Sequence, residues 1–180
     1  MIRHPMATQP HTPAGREGDA GGRAVAALLV IALAGSGMAA GAADLVVIGA
    51  VEDVALPAAG VTLPARVDTG AAKSSLAARE LSVKDRVAQF RLPEEYGTML
   101  LRMRVVSWVN VHSNLGTERR PVVEMDLCVG SKRLHTRVNL DDRAGLKFPL
   151  LIGRNTLEGN FLVDVQRQHT APPHCPAQRP

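Results

Sequence analysis

An all-β domain is the fold class that the sequence predicts, and three observations predict it. Its apolar segments are short, rich in Val, Leu and Ile, and bounded by Gly, Pro, Asn or Asp. Aromatic residues make up only 3 % of a chain that is 46 % apolar, so the core has to be built from aliphatic side chains. Gly 16 and Pro 12 supply turns at a density that suits many short strands. A length of 180 residues corresponds to one domain, since domains commonly run to roughly 100–200 residues.

Strand patterns follow one another at 45–50 (LVVIGA), 61–67, 75–78, 86–92, 99–111, 122–129, 134–140, 149–152 and 161–165, which together read as a meander without internal repeats. The clearest hairpin joins 122–129 to 134–140, where Gly130 and Ser131 suit the two central positions of a tight turn. One short helix is expected over 154–158, with Gly159 as its stop. The folded domain is therefore expected over 44–168, and the Pro-rich segment 169–180 reads as a disordered tail.

Residues 1–43 have a different composition. A polar stretch carrying Arg3, Arg16 and Arg23 leads into the apolar run 24–34 (AVAALLVIALA) and then into small residues. This is the anatomy of a secretory signal peptide, with cleavage fitting after Ala42 or Ala43, and it predicts a periplasmic or secreted protein. Residues 24–43 carry no charge, so the alternative is an uncleaved membrane anchor; membrane contact is expected only in that case.

Taking Arg3, Arg16, Arg23, Glu17 and Asp19 out of the +4 total leaves the remaining chain at +3. Its Lys and Arg never run beyond two in a row and aromatic residues for base stacking are nearly absent, which argues against nucleic-acid binding. Cys128 lies in an apolar strand pattern and Cys175 in the Pro-rich segment, so an oxidising compartment allows a disulfide between them without requiring one. His112 and His135 are isolated, and neither an H-E-x-x-H zinc pattern nor a G-x-x-x-x-G-K-[ST] phosphate loop occurs, so no metal and no cofactor are expected.

Candidate chemistry concentrates at Arg66-Val67-Asp68-Thr69-Gly70-Ala71. Asp68 follows an apolar strand, Thr69 offers a short hydroxyl to tie the loop, and Gly70 leaves room for main chain or substrate to approach. Alone, D-T-G reads equally well as a turn capped by its own aspartate. A second element shifts the balance: 149–157 is an apolar strand ending at Ile152-Gly153-Arg154-Asn155 and entering the short helix.

Together the two elements resemble the retropepsin family of aspartic proteases, in which a D-[ST]-G-A loop supplies the catalytic aspartate and a later apolar-Gly-Arg segment packs beneath it. The match extends to a bacterial retropepsin-like group often labelled ATP-dependent zinc proteases. It is carried by residues 67–76 (VDTGAAKSSL), Arg120-Pro121-Val122-Val123, Leu140-Asp141-Asp142-Arg143, 149–157 and Phe161-Leu162-Val163-Asp164, and it spans roughly 45–168.

The resemblance implies a closed β-barrel with one short helix and an aspartic endopeptidase acting on peptide or protein substrates. Asp68 would be the catalytic acid/base, Thr69, Gly70 and Ala71 its loop, and Ile152, Gly153, Arg154 and Asn155 the supporting segment. Such enzymes need two carboxyl groups that share one proton. One D-[ST]-G implies a homodimer with Asp68 of each subunit at a two-fold axis; Asp141, Asp142 and Asp164 are the candidates if the second acid comes from the same chain. A flap is expected over 112–120, with Asn114, Leu115 and Gly116 at its tip, and Arg119 and Arg120 there would favour acidic peptides. Two departures stand out. Ala72 and Lys73 stand where viral retropepsins have the aspartate that pairs with the arginine corresponding to Arg154, so Arg154 needs another partner. Residues 81–101, with Glu94-Glu95-Tyr96-Gly97 as their loop, look like an addition. The competing readings are a non-catalytic retropepsin-fold binding module in the cell envelope and an anchored envelope scaffold.

Overall fold

A computed structural model of the chain describes residues 44–113, 116–143 and 145–175. The leader at 1–43 and the flap-tip residues Asn114 and Leu115 lie outside the described residues.

The described residues are mostly β, with one short helix. The strands are β1 (Val46–Gly49), β2 (Val51–Leu56), β3 (Val61–Val67), β4 (Ser74–Ala77), β5 (Arg79–Lys84), β6 (Val87–Arg91), β7 (Leu100–Ser113), β8 (Gly116–Val129), β9 (Lys132–Asp141), β10 (Leu150–Ile152) and β11 (Phe161–Asp164). The helix α1 covers Arg154–Leu157, and a 3-10 turn covers Glu94–Tyr96.

The large sheet runs β2-β3-β10-β4-β9-β8-β7-β6-β5, and β2 also pairs with β8, so six of its strands connect in a ring. The closing contact is only two residue pairs wide, Val54 with Val129 and Ala55 with Cys128. A plain meander would put sequence neighbours side by side. Here β10 instead inserts between β3 and β4, parallel to β3 and antiparallel to β4. This insertion, invisible to local pattern, carries the second motif into contact with the first.

Alternation decides which side chains fill the ring. Along β3, Leu63, Ala65 and Val67 point inward while Thr62 and Arg66 are exposed. Leu76, Leu127, Leu140, Leu150 and Ile152 are fully buried beside them, an aliphatic core as the composition requires. β7, β6 and β5 extend the sheet beyond the ring, with Ala88 and Phe90 of β6 buried. The β5–β6 hairpin turns at Asp85 and Arg86, both at positive φ (51° and 59°), the backbone of a two-residue turn made without the Asn-Gly that usually announces it. The Gly130-Ser131 turn between β8 and β9 stands where it was expected.

Residues from His169 to Cys175 do not form the disordered tail that their composition suggests. The His169 amide donates to the Val51 carbonyl at 2.7 Å, the His174 amide to the Gly130 carbonyl at 2.7 Å, and Cys175 is disulfide-bonded to Cys128. The anchor is Glu52, a fully buried carboxylate. It accepts from the amides of Gly49 (2.5 Å), Thr170 (3.2 Å) and Ala171 (3.0 Å) and from the Thr170 hydroxyl (2.6 Å). Proline-rich composition is a poor guide where one buried acid collects this many donors.

Burial pushes the Glu52 carboxyl up, but the Thr170 hydroxyl and the amides of Ala171, Gly49 and Thr170 together outweigh it, so the net direction is down from 4.5. A lowered carboxylate stabilises the fold fully above its unfolded value, and that contribution is lost as pH falls through the folded value. Urea unfolding should therefore show stability declining below about pH 4.5, in line with an ordinary glutamate. Glu52→Gln should cost about 1–3 kcal/mol at neutral pH and flatten that acid limb.

Candidate active site

Asp68 stands at the end of β3, where the chain leaves the sheet. Its amide donates to the Ile152 carbonyl at 2.9 Å, which ties the loop to the last residue of β10. Its Oδ1 accepts from the amides of Gly70 (2.9 Å) and Ala71 (3.1 Å). Its other oxygen, Oδ2, has no partner among the described residues and is free to meet water or a second carboxyl group. The loop is thus built to aim one carboxylate, not to bury it. A Cβ on Gly70 would stand 3.2 Å from Asp68 Oδ1, crowding the oxygen that the loop amides hold. Thr69 contributes its carbonyl to the site; among the described residues its hydroxyl makes no hydrogen bond.

The second motif closes over this loop from behind. The amides of Arg154 and Asn155 donate to the carbonyls of Ala71 (2.9 Å) and Ala72 (3.3 Å). Arg154 finds the partner that its sequence context lacks: Nη1 donates to the carbonyls of Thr69 (3.1 Å) and Gly70 (2.7 Å). Gly153 is required by contact, since a Cβ there would lie 2.5 Å from the Lys73 carbonyl carbon and 2.6 Å from its oxygen. Asn155 Oδ1 accepts from the Ser74 amide at 2.8 Å, while Nδ2 donates to the Thr136 hydroxyl (3.0 Å) and the Arg137 carbonyl (2.8 Å).

A buried polar column supports the motif, and the local sequence did not reveal it. Ser74 Oγ accepts from the Gly153 amide at 3.0 Å and meets Thr156 Oγ1 at 2.8 Å, which meets Thr136 Oγ1 at 3.0 Å. Alongside, Ser75 donates to Asn139 Oδ1 at 3.0 Å and Asn139 Nδ2 donates to the Ser74 carbonyl at 2.7 Å. Ser74, Ser75, Thr136, Asn139 and Thr156 are all buried. The available signal was polar residues interrupting apolar strand patterns in β4 and β9.

The same-chain candidates for a second acid are each engaged by an arginine. Asp141 Oδ2 is 2.7 Å from Arg120, Asp142 Oδ1 is 2.8 Å from Arg79, and Asp164 Oδ2 is 3.0 Å from Arg167. Burial pushes the Asp141 carboxyl up, with Glu118 and Asp142 acting in the same direction and Arg120 and Arg143 against it; the net direction is up. Arg143 donates from Nε to the Phe148 carbonyl at 3.1 Å. Burial holds its guanidinium below the usual value, against the carboxylates of Asp141 and Asp68, while the neighbouring Arg120 lowers it further. This makes Arg143 a cation within electrostatic reach of Asp68; the sequence places it in the motif Leu140-Asp141-Asp142-Arg143 but gives it no role toward Asp68.

Comparison with known proteins agrees with this geometry. The family model RimB-like, described as retropepsin-like aspartic endopeptidase RimB, matches residues 47–174. The chain belongs to the RimB-like family. Among solved structures, protein Lpg0085 of Legionella pneumophila subsp. pneumophila str. Philadelphia 1, of unknown function (DUF785), is similar with a TM-score of 0.62 and 29% sequence identity. The match covers 70% of this chain and 98% of that one. No protein with curated function matches. The RimB-like match runs past residue 168 into the segment that Glu52 and the disulfide hold.

Around the RimB-like loop, β7 and β8 form the hairpin expected as a flap, paired from Val105 with Val123 out to Ser113 with Gly116. Arg119 and Arg120 are not free cations on it. Arg119 lies over the exposed Trp108 ring, 4.8 Å from its centroid, and Arg120 is bonded to Glu118 and Asp141. The addition at 81–101 contributes β6 and the 3-10 turn, which with Asp142, Arg143, Leu146 and Lys147 wall a cleft of about 1030 Å³. Among the described residues no group of three or more His, Cys, Asp or Glu is placed to hold a metal ion.

Gly153→Ala tests the contact that positions the loop. It should lower unfolding free energy in urea by about 1–3 kcal/mol through overpacking against backbone that has nowhere to move. Replacing the exposed Gly145 with Ala, where φ is +79° but nothing lies within 4 Å of the added Cβ, should cost less.

Proposed function

We propose that the protein is an aspartic endopeptidase that hydrolyses peptide bonds in peptide or protein substrates, using a water held between Asp68 of one subunit and Asp68 of a second. The observation that carries this reading is the Asp68 carboxylate, with one oxygen fixed by two loop amides and the other left open. That Asp141, Asp142 and Asp164 each have an arginine supports drawing the second acid from another copy.

In this mechanism two carboxyl groups about 3 Å apart share one proton, because both cannot stay ionised. The ionised one takes a proton from water as its oxygen attacks the carbonyl carbon. The protonated one donates a hydrogen bond to the carbonyl oxygen, stabilising the charge that develops there. Proton transfer to the amide nitrogen then lets the C–N bond break. Every step uses carboxyl groups and water, so the reaction calls for no metal or cofactor. The β7–β8 hairpin is the flap in this reading. A periplasmic or extracellular site of action belongs to the same proposal, supported by the apolar run at 24–34 and the Cys128–Cys175 disulfide.

The outward face of β1 and β11 suits the contact between copies. Val47 and Leu162 are register partners, exposed at 46% and 54%, with Leu45 and Val165 also exposed beside them. Parallel strands are ordinarily covered on both faces, and an apolar strip left in water is costly. The strip is close to the loop in bonding terms, since Ala50 after β1 accepts from the amide of Val67, the residue before Asp68.

The purified protein, incubated with a mixed peptide library across pH 3–8, should cleave with two acidic limbs in its pH-rate profile. Asp68→Asn should reduce cleavage by at least about 10²–10⁴-fold while keeping fold and mass. A folded dimer that cleaves nothing would support the non-catalytic binding module instead. In light scattering, Val47→Glu with Leu162→Glu should convert dimer to monomer and abolish cleavage; a dimeric mass retained in that variant would place the interface elsewhere.

A further inference from the structure

Two joints of the ring are only two residue pairs wide, β4 with β10 and β2 with β8, and the C-terminal segment crosses the second. β2 and β8 meet through only two residue pairs, one of which is Ala55 with Cys128. The segment 166–175 is bonded to β2 at one end and to the β8–β9 turn at the other. On the β2 side it holds the Val51 carbonyl through His169 and the Glu52 carboxylate through Thr170 and Ala171. On the β8 side it holds Gly130 through the His174 amide and Cys128 through the disulfide. Ala171 is its one buried apolar residue among those described, and a Cβ on Gly130 would stand 3.2 Å from its Cβ. Ala171 joins the hydrophobic core, and the rest of the strap is held by directed bonds, a kind of attachment that can open locally.

We propose that the Cys128–Cys175 disulfide is a redox latch on this joint: oxidised, it holds the strap across β2 and β8, and reduced, it frees the strap and loosens both the joint and the strand that supports the Asp68 loop. The link to the loop is short. Arg167, in the strap, accepts from the Ala50 amide at 2.8 Å, and Ala50 in turn accepts from the Val67 amide at 3.0 Å. Glu52 makes the release sharp. When the strap leaves, this buried carboxylate loses its bonds to Thr170 and Ala171 and keeps only that to Gly49, so a partly detached strap is disfavoured.

The reductant is a dithiol. Cys128 is 3% exposed and Cys175 more so, so the attacking thiolate forms a mixed disulfide with Cys175 and expels the Cys128 sulfur, which takes a proton from water. The second thiolate of the reductant then displaces Cys175 and closes its own disulfide. The protein gains two electrons and two protons, and the dithiol loses them.

The test is amide hydrogen exchange on the full chain before and after treatment with dithiothreitol, read without reference to proteolytic activity, so that the latch and the protease reading stand or fall separately. Reduction should accelerate exchange at least tenfold in β2, at 127–130, at 166–175 and at Val67, while the paired centres of β7, β8 and β9 stay protected. Cys175→Ser should reproduce the reduced pattern without reductant. Oxidised Glu52→Gln should accelerate exchange at 169–171 but leave 127–130 protected, because the disulfide still holds. Acceleration of all strands alike, no change at the joint, or free thiols in the native untreated protein would each overturn the proposal. So would a Glu52→Gln protein whose joint opens as far as it does on reduction, since the carboxylate would then be the latch.

Discussion

At the junction of β10 and α1 the main chain of Gly153 rests against the main chain of Lys73 and Ser74, and the position of Asp68 depends on that contact. Backbone approaching backbone this closely leaves no volume for a side chain, so the distance between the two motifs is set by covalent geometry rather than by rotamers. The bonds on either side use the proximity: Ile152 receives the Asp68 amide, and Arg154 and Asn155 donate to Ala71 and Ala72. A carboxylate carried on such a loop has little freedom to wander.

Directional bonds do what aliphatic packing cannot. Leu76, Leu150 and Ile152 supply burial beneath the loop, but side chains of this kind tolerate small displacements at little cost. Ser74, Thr136, Asn139, Asn155 and Thr156 instead form a connected set in which each member has a partner, so a shift breaks several bonds at once. Arg154 completes the set from the outside by holding the Thr69 and Gly70 carbonyls.

Charge is arranged around the loop with the same economy. Asp141 couples β8 to the end of β9 through Arg120, and both side chains are largely out of water. An ion pair in that position specifies geometry more than it adds stability, because the loss of hydration nearly offsets the attraction. Arg143, from the loop that follows Asp141, brings positive charge toward Asp68 without bonding it. In the D-T-G loop itself, Asp68 Oδ1 is held by two amides and Oδ2 has no partner among the described residues.

Local pattern sufficed for the strand class, the aliphatic core, the Gly130-Ser131 turn, the short helix after Gly153 and the two motifs, because each rests on residues adjacent in the chain. β2 and β5 escaped it for physical reasons. In β2, Glu52 is buried where alternation calls for an apolar residue, since its partners come from Thr170 and Ala171, more than a hundred positions away. β5 is a charged edge strand whose turn uses Asp85 and Arg86 at positive φ in place of glycine. The strap read as a disordered tail because Pro, His and Cys carry no period; its order comes from Glu52 and Cys128, both distant in sequence. The charge expected of Arg120 is paired by Glu118 and Asp141, while Arg119 keeps its charge and lies over Trp108, contacts that depend on β7, β8 and β9 being side by side. The D-T-G motif that carries Asp68 is thus a property of the chain, whereas its supports and the charges near it follow from strand order, because hydrogen bonds and ion pairs depend on distance in space and not along the sequence.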